Sequence, residues 1–258
     1  MLKRFGWRSV LMLSLLAPMI PWTAPALAQS VVSNSPAHPN GFLQLANPEK
    51  FTLTIYGGGF VSDEYGVTQE GFQFEQSVTR YVGVVGRVTG YQLYIGHGFD
   101  NPLVPGTGYH ARYNFGRFQA GVDLQPFEGT NLYLLGGADA GDSSAGVAEG
   151  DFSTWAWMRS RHPVNLAVSA IYDSQNQVTS SEIDLRTIVY SNEKIVLLAG
   201  GGGALYAGGF VHGVDGQGGP LLGFYFPGWR FGMDAQAGYG SSRQYGQLSL
   251  YKQFSWTE

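Results

Sequence analysis

The chain has 258 residues, with 15 Lys plus Arg against 19 Asp plus Glu, and it contains no cysteine. The acidic balance excludes a nucleic-acid binder, because counterion release needs a basic face, and the missing thiols exclude a disulfide framework and a thiolate metal site. Its 38 glycines and a 14% aromatic content favour β structure over helix.

In chain order, Lys3, Arg4 and Arg8 precede an apolar run at residues 10–20, and Ala26-Leu27-Ala28 stands before Gln29. A basic region, a hydrophobic region and a small-residue cleavage site make a secretory signal peptide, residues 1–28. Pro18, Pro21 and Pro25 interrupt the run, which argues against a spanning helix of about 20 apolar residues. Residues 29–50 are rich in Ser, Pro and Asn without any period and read as a periplasmic tail. Residues 51–258 form the folded domain.

From Phe51 onward the spacing has period two, which sends successive side chains to opposite faces of a sheet. Phe72, Phe74 and Val78 share one face while Gln73, Glu75, Ser77 and Thr79 share the other. Between Trp229 and Tyr239, Phe231, Met233, Ala235 and Ala237 alternate with Arg230, Gly232, Asp234, Gln236 and Gly238. Several such segments reach the length of about 10 residues that a tilted strand needs to cross a membrane, whereas strands of soluble domains run nearer five or six. Trp229, Tyr239, Phe254 and Trp256 stand at segment ends, where an aromatic girdle belongs.

The connections then alternate. External loops are expected at 62–69, 97–107, 141–148, 174–177, 208–216 and 241–243, and short internal turns at 79–80, 126–130, 161–163, 192–194 and 227–228. Short turns belong on the periplasmic side and longer loops outside. The expected fold class is all-β: a closed antiparallel transmembrane barrel of about twelve strands with both termini periplasmic. Residues 108–125 read as one long strand whose oily face changes phase, from Tyr109, Ala111, Tyr113 and Phe115 to Phe118, Ala120, Val122 and Leu124, so a bulge is expected at Gly116.

The signal, the alternating segments and the final strand with Leu248, Leu250, Phe254 and Trp256 together resemble the general bacterial outer-membrane β-barrel class. That resemblance implies residence among outer-membrane lipids and contact of the last strand with the barrel-assembly machinery.

With the oily face outside, Glu75, Arg87, Arg112, Asp123, Asp139, Arg159, Glu182, Asp184, Arg186, Arg230 and Asp234 are expected to line the lumen. So many charges favour a wet interior or a tight ion network over a dry core. The leading expectation is a passive channel for small hydrophilic or anionic solutes, with no cofactor or metal. A polysaccharide-export barrel, a lipid-modifying enzyme and a structural or adhesive barrel are the alternatives. Trp155 and Trp157, in phase with Arg159, suggest either a stack for sugar rings or a local bulge that turns them to lipid. His97 with Asp100, His110, and His212 with Asp215 are the candidate bases, but none of these histidines has a Ser two residues away on a shared strand face. Residues 200–203 are glycines without the Lys-Ser/Thr of a phosphate loop.

Overall fold

A computed structural model describes residues 51–62, 65–96, 109–127, 129–142, 144–156, 163–174, 178–208, 211–240 and 243–256. The signal peptide, the tail, Arg159, Trp157, His97, Asp100 and the loop at 97–107 lie outside these residues, as do the side chains of Arg112, His110, His212 and Asp215.

Alternation becomes twelve strands: β1 (Phe51–Ser62), β2 (Tyr65–Ser77), β3 (Val82–Gly96), β4 (Tyr109–Leu124), β5 (Thr130–Gly141), β6 (Ala145–Ala156), β7 (Val164–Asp173), β8 (Val178–Ser191), β9 (Val196–Gly208), β10 (Val211–Phe226), β11 (Phe231–Gly240) and β12 (Arg243–Trp256). Each pairs antiparallel with its sequence neighbour, and β1 pairs with β12 to close the barrel. Closure leaves no strand edge, which a sheet in lipid requires because no water is there to satisfy its N–H and C=O groups.

Turn chemistry fixes one end of the barrel. The Thr79 hydroxyl accepts from the backbone N–H groups of Tyr81 and Val82, both at 3.1 Å. Asn192 Oδ1 accepts from Lys194 and Ile195, both at 2.8 Å. Between β10 and β11 a short 3₁₀ turn, Pro227–Trp229, ends at Arg230, which takes the left-handed conformation at φ 47° and donates its N–H to Pro227 O.

Two expectations need correction. No bulge interrupts β4 at Gly116: its ladder with β3 runs unbroken from Leu124 to Ala111, and the register shifts only between Ile95 and Gly96. Phe115 therefore faces inward, where it stacks on Tyr91 at 5.1 Å. Much of what was expected as loop at 62–69, 141–148 and 208–216 is strand, since β2 begins at Tyr65, β6 at Ala145 and β10 at Val211. Glycine and polar residues that look like loop are here strand whose outward face leaves the apolar band.

Outside, the wall is oily. Phe51, Ile55, Phe72, Phe74, Phe118, Leu134, Ile183, Leu185, Leu222, Leu248, Leu250 and Phe254 are all exposed. Tyr81, Phe127, Tyr190, Trp229 and Trp256 mark the turn end and Tyr172 and Tyr239 the opposite end. Glycines on this wall are covered where they would weaken it: the Phe74 ring lies over the place a side chain at Gly86 would occupy.

Candidate functional site

The interior is layered. Toward the loop end, Phe60, Val67, Tyr91, Leu93, Phe115 and Tyr245 form an apolar cluster on the β12, β1–β4 side. Toward the turn end, Trp155, Val196 and Leu198 form another on the opposite side, with Ile188 and Tyr225 packed against it. Trp155 is thus held in a hydrophobic cluster and offers no open ring to a sugar. Polar residues fill the space between.

Three arginines organise that polar layer. Arg87 on β3 reaches over β4 and β5 to β6, where it pairs with Glu149 and with Asp151 at 3.1 Å. Its Nε donates to Gln73 at 2.9 Å, and Gln119 donates to the same Glu149 at 2.6 Å. Arg117 lies directly opposite Asp139 in the ladder and grips it with two bonds, 2.8 and 2.9 Å. Arg186 on β8 donates to Asn165 on β7 and crosses to Asp234 on β11, each at 3.2 Å. Bonds that skip two strands require side chains pointing into a closed barrel. Such planar, forked donors also hold carboxylates in fixed geometry away from water.

Carboxylates outnumber these cations. Glu75 accepts from Tyr133 at 3.0 Å, and Asp123 accepts from Gln125 at 2.5 Å and Asn131 at 3.2 Å. Asp173 is buried on β7. Glu182, Asp184 and Asp234 line an interior cavity of about 40 Å³ together with Arg186, Ser169 and Gln236. A space of that size holds a few waters. Among the described residues the interior carries three arginines against nine carboxylates.

Of the residues the sequence singled out, Glu75, Arg87, Asp123, Asp139, Glu182, Asp184, Arg186 and Asp234 stand on the inner wall. Arg112 lies on β4 opposite Tyr94. Arg230 sits in the turn ahead of β11, because the chain turns at Pro227–Trp229 and the strand starts only at Phe231. Sequence reasoning missed Arg117, Glu149, Asp151 and Asp173. Arg117 was hidden by the expected bulge beside it. Glu149 and Asp151 share a phase with Val147, Ser153 and Trp155, but Ala148 and Gly150 between them gave little apolar contrast.

Among the described residues, no group of three or more His, Asp or Glu is placed to hold a metal ion. No protein-family model matches the chain, and no curated protein matches it. Solved structures similar to it include a KdgM porin at 10% identity, covering 78% of this chain and 99% of that one with a TM-score of 0.43. Another is the translocator domain of the autotransporter NalP from Neisseria meningitidis, at 9% identity, 89% and 94% coverage and a TM-score of 0.39. A third is a loop-deletion variant of OmpT, an outer membrane protein of Vibrio cholerae, at 12% identity, 81% and 100% coverage and a TM-score of 0.33. The architecture itself rests on this chain's own register: a closed, twelve-stranded antiparallel barrel with an oily exterior and an ion-paired interior.

Proposed function

We propose that this chain is an outer-membrane barrel acting as a narrow passive channel for small hydrophilic solutes. One observation carries the reading: the polar and charged side chains are collected inside a closed barrel whose outside is apolar. An oily wall with aromatic residues near both ends suits a bilayer, and the signal-like leader supplies the export route. The aromatic last strand, with Phe254 and Trp256 facing outward, is the surface offered to the assembly machinery. Both termini are assigned to the periplasm, since the apolar band lies toward the turn end where Phe51 and Trp256 sit.

Charge and width define the solute. Among the described residues the three interior arginines are paired with carboxylates, and the remaining acids there give the inner wall a negative character. That character favours cations and neutral molecules over the anionic solutes that the sequence also allowed. The buried polar layer favours small solutes over a polysaccharide strand. The apolar clusters occupy opposite sides at opposite ends, so the route runs obliquely past Glu182, Asp184 and Asp234.

Purified protein in planar bilayers tests this. Small conductance steps are expected, with a reversal potential in a salt gradient that shows cation preference, and Arg87→Ser should enlarge the steps by removing the strut between β3 and β6. A silent bilayer with an intact, heat-modifiable barrel would leave the structural barrel in its place. That second reading is favoured by the near-complete burial of interior groups such as Asn165, Asp123 and Arg117.

A further inference from the structure

We propose that the outer face formed by β12, β1, β2 and β3 is the surface on which two copies of this chain associate side by side in the membrane. The inference rests on the membrane-embedded reading above. Its starting point is Glu70, an exposed carboxylate on the outward face of β2 between Thr68 and Phe72. The register sets it opposite Gly57 on β1 and Gly90 on β3, so the wall has no side chain on either flank. Among the described residues no salt bridge holds Glu70. A lone charge on a lipid-facing wall is costly and marks a functional surface.

Neither flanking glycine is demanded by the barrel. A Cβ at Gly57 would meet its nearest atom at 3.4 Å and one at Gly90 at 3.8 Å, both ordinary contacts. Their bareness instead opens a groove of about 880 Å³ along the outer wall, floored by Ile55, Phe72 and Leu250. Small residues of this kind let a second wall approach closely.

Charge identifies the occupant. Lys252 borders the same groove. It stands on β12 opposite Ile55, two residues along β1 from Gly57, the partner of Glu70. With two strand spacings of about 4.8 Å across and two residues of about 3.3 Å along, the two positions lie about 12 Å apart on the wall. Among the described residues the ammonium donates to the Trp229 carbonyl and lies 5.6 Å from the Phe254 ring centre. A groove carrying one charge of each sign is self-complementary under a two-fold axis along the membrane normal: Glu70 of each copy meets Lys252 of the other. A lipid chain would fill the apolar floor but leave the carboxylate unneutralised, and a lipid phosphate would repel it.

Because the chain has no cysteine, a single introduced thiol reports on its neighbours without background. Gly90→Cys in intact outer membranes should give a covalent dimer with a short bis-maleimide, and Leu185→Cys on the far wall should not. In mild detergent, Glu70→Lys or Lys252→Glu alone should lower the association constant at least about tenfold, and the two together should restore it. Gly90→Leu fills the groove while leaving both charged residues in place and should give a folded monomer. A monomeric wild type, equal cross-linking at both positions, or a double exchange no better than the singles would overturn the proposal. Each sample is first checked for membrane extraction and heat-modifiable mobility. A chain recovered as soluble protein would sink the membrane reading, and this inference with it; a folded membrane monomer would sink the inference alone.

Discussion

Replacing Asp139 with Ala should unfold the barrel far more readily than its small size suggests. The side chains of Arg117 and Asp139 are 1% and 0% exposed, so neither charge is rescued by water. Two charge-assisted hydrogen bonds join them, at 2.8 and 2.9 Å, each contributing about 1.5–3 kcal/mol. The guanidinium also lies 5.5 Å from the centre of the Tyr91 ring, and its Nη1 makes no hydrogen bond, so it has no alternative acceptor. Asp139→Ala leaves that cation buried and unpaired, at a cost of about 3–5 kcal/mol. The double variant Arg117→Met with Asp139→Leu removes both charges and should recover most of the loss, because apolar replacements of similar volume avoid the desolvation penalty. Urea unfolding of the refolded protein in detergent, followed by tryptophan fluorescence and by heat-modifiable mobility, measures both. A loss below about 1 kcal/mol for Asp139→Ala, or a double variant no more stable than the single, would show that the interior is wet enough to solvate the pair.

Other substitutions separate the walls of the barrel. Gly121→Val should prevent refolding, because a side chain there collides with the backbone of Leu134, while Gly136→Ala, with nothing within 4 Å, should stay within about 0.5 kcal/mol of wild type in the same assay. Arg230→Gly should stabilise by about 1 kcal/mol, since a non-glycine residue at φ 47° carries left-handed strain; an unchanged midpoint would mean that the Arg230 side chain offsets it. Trp155→Ala should cost about 3–5 kcal/mol through the cavity left against Val196 and Leu198. It should not change any block of conductance by added sugars; a change would restore the ring to a binding role.

The parts legible in the sequence were those where an oily run on one face alternates with a polar run on the other. Phe72 and Phe74 on β2, and Met233 and Ala235 on β11, meet that condition, and their strands run with the expected phase. Reading failed where the interior is itself apolar. Phe115 belongs to an inner cluster with Tyr91 and Leu93, so an aromatic assigned to lipid by its chemistry in fact faces the lumen. That single reversal created the supposed bulge and hid Arg117. It failed again where the outer face carries glycine and polar residues, as at Gly59 and Thr68, because strand beyond the oily band has the composition of a loop. Pairing partners were beyond reach for a different reason: Arg87 with Glu149 is set by shear around the barrel, which no local spacing encodes.

The ladder between β1 and β12 sets Phe51 opposite Trp256, with ring centres 5.3 Å apart. First and last strands therefore meet at one rim, and a linker of a few residues would join them into a ring. Opening that ring at the Pro227–Trp229 turn would give a permuted chain able to make the same twelve ladders. The order in which the strands are translated is then a matter of biosynthesis: whichever strand emerges last must act as the latch.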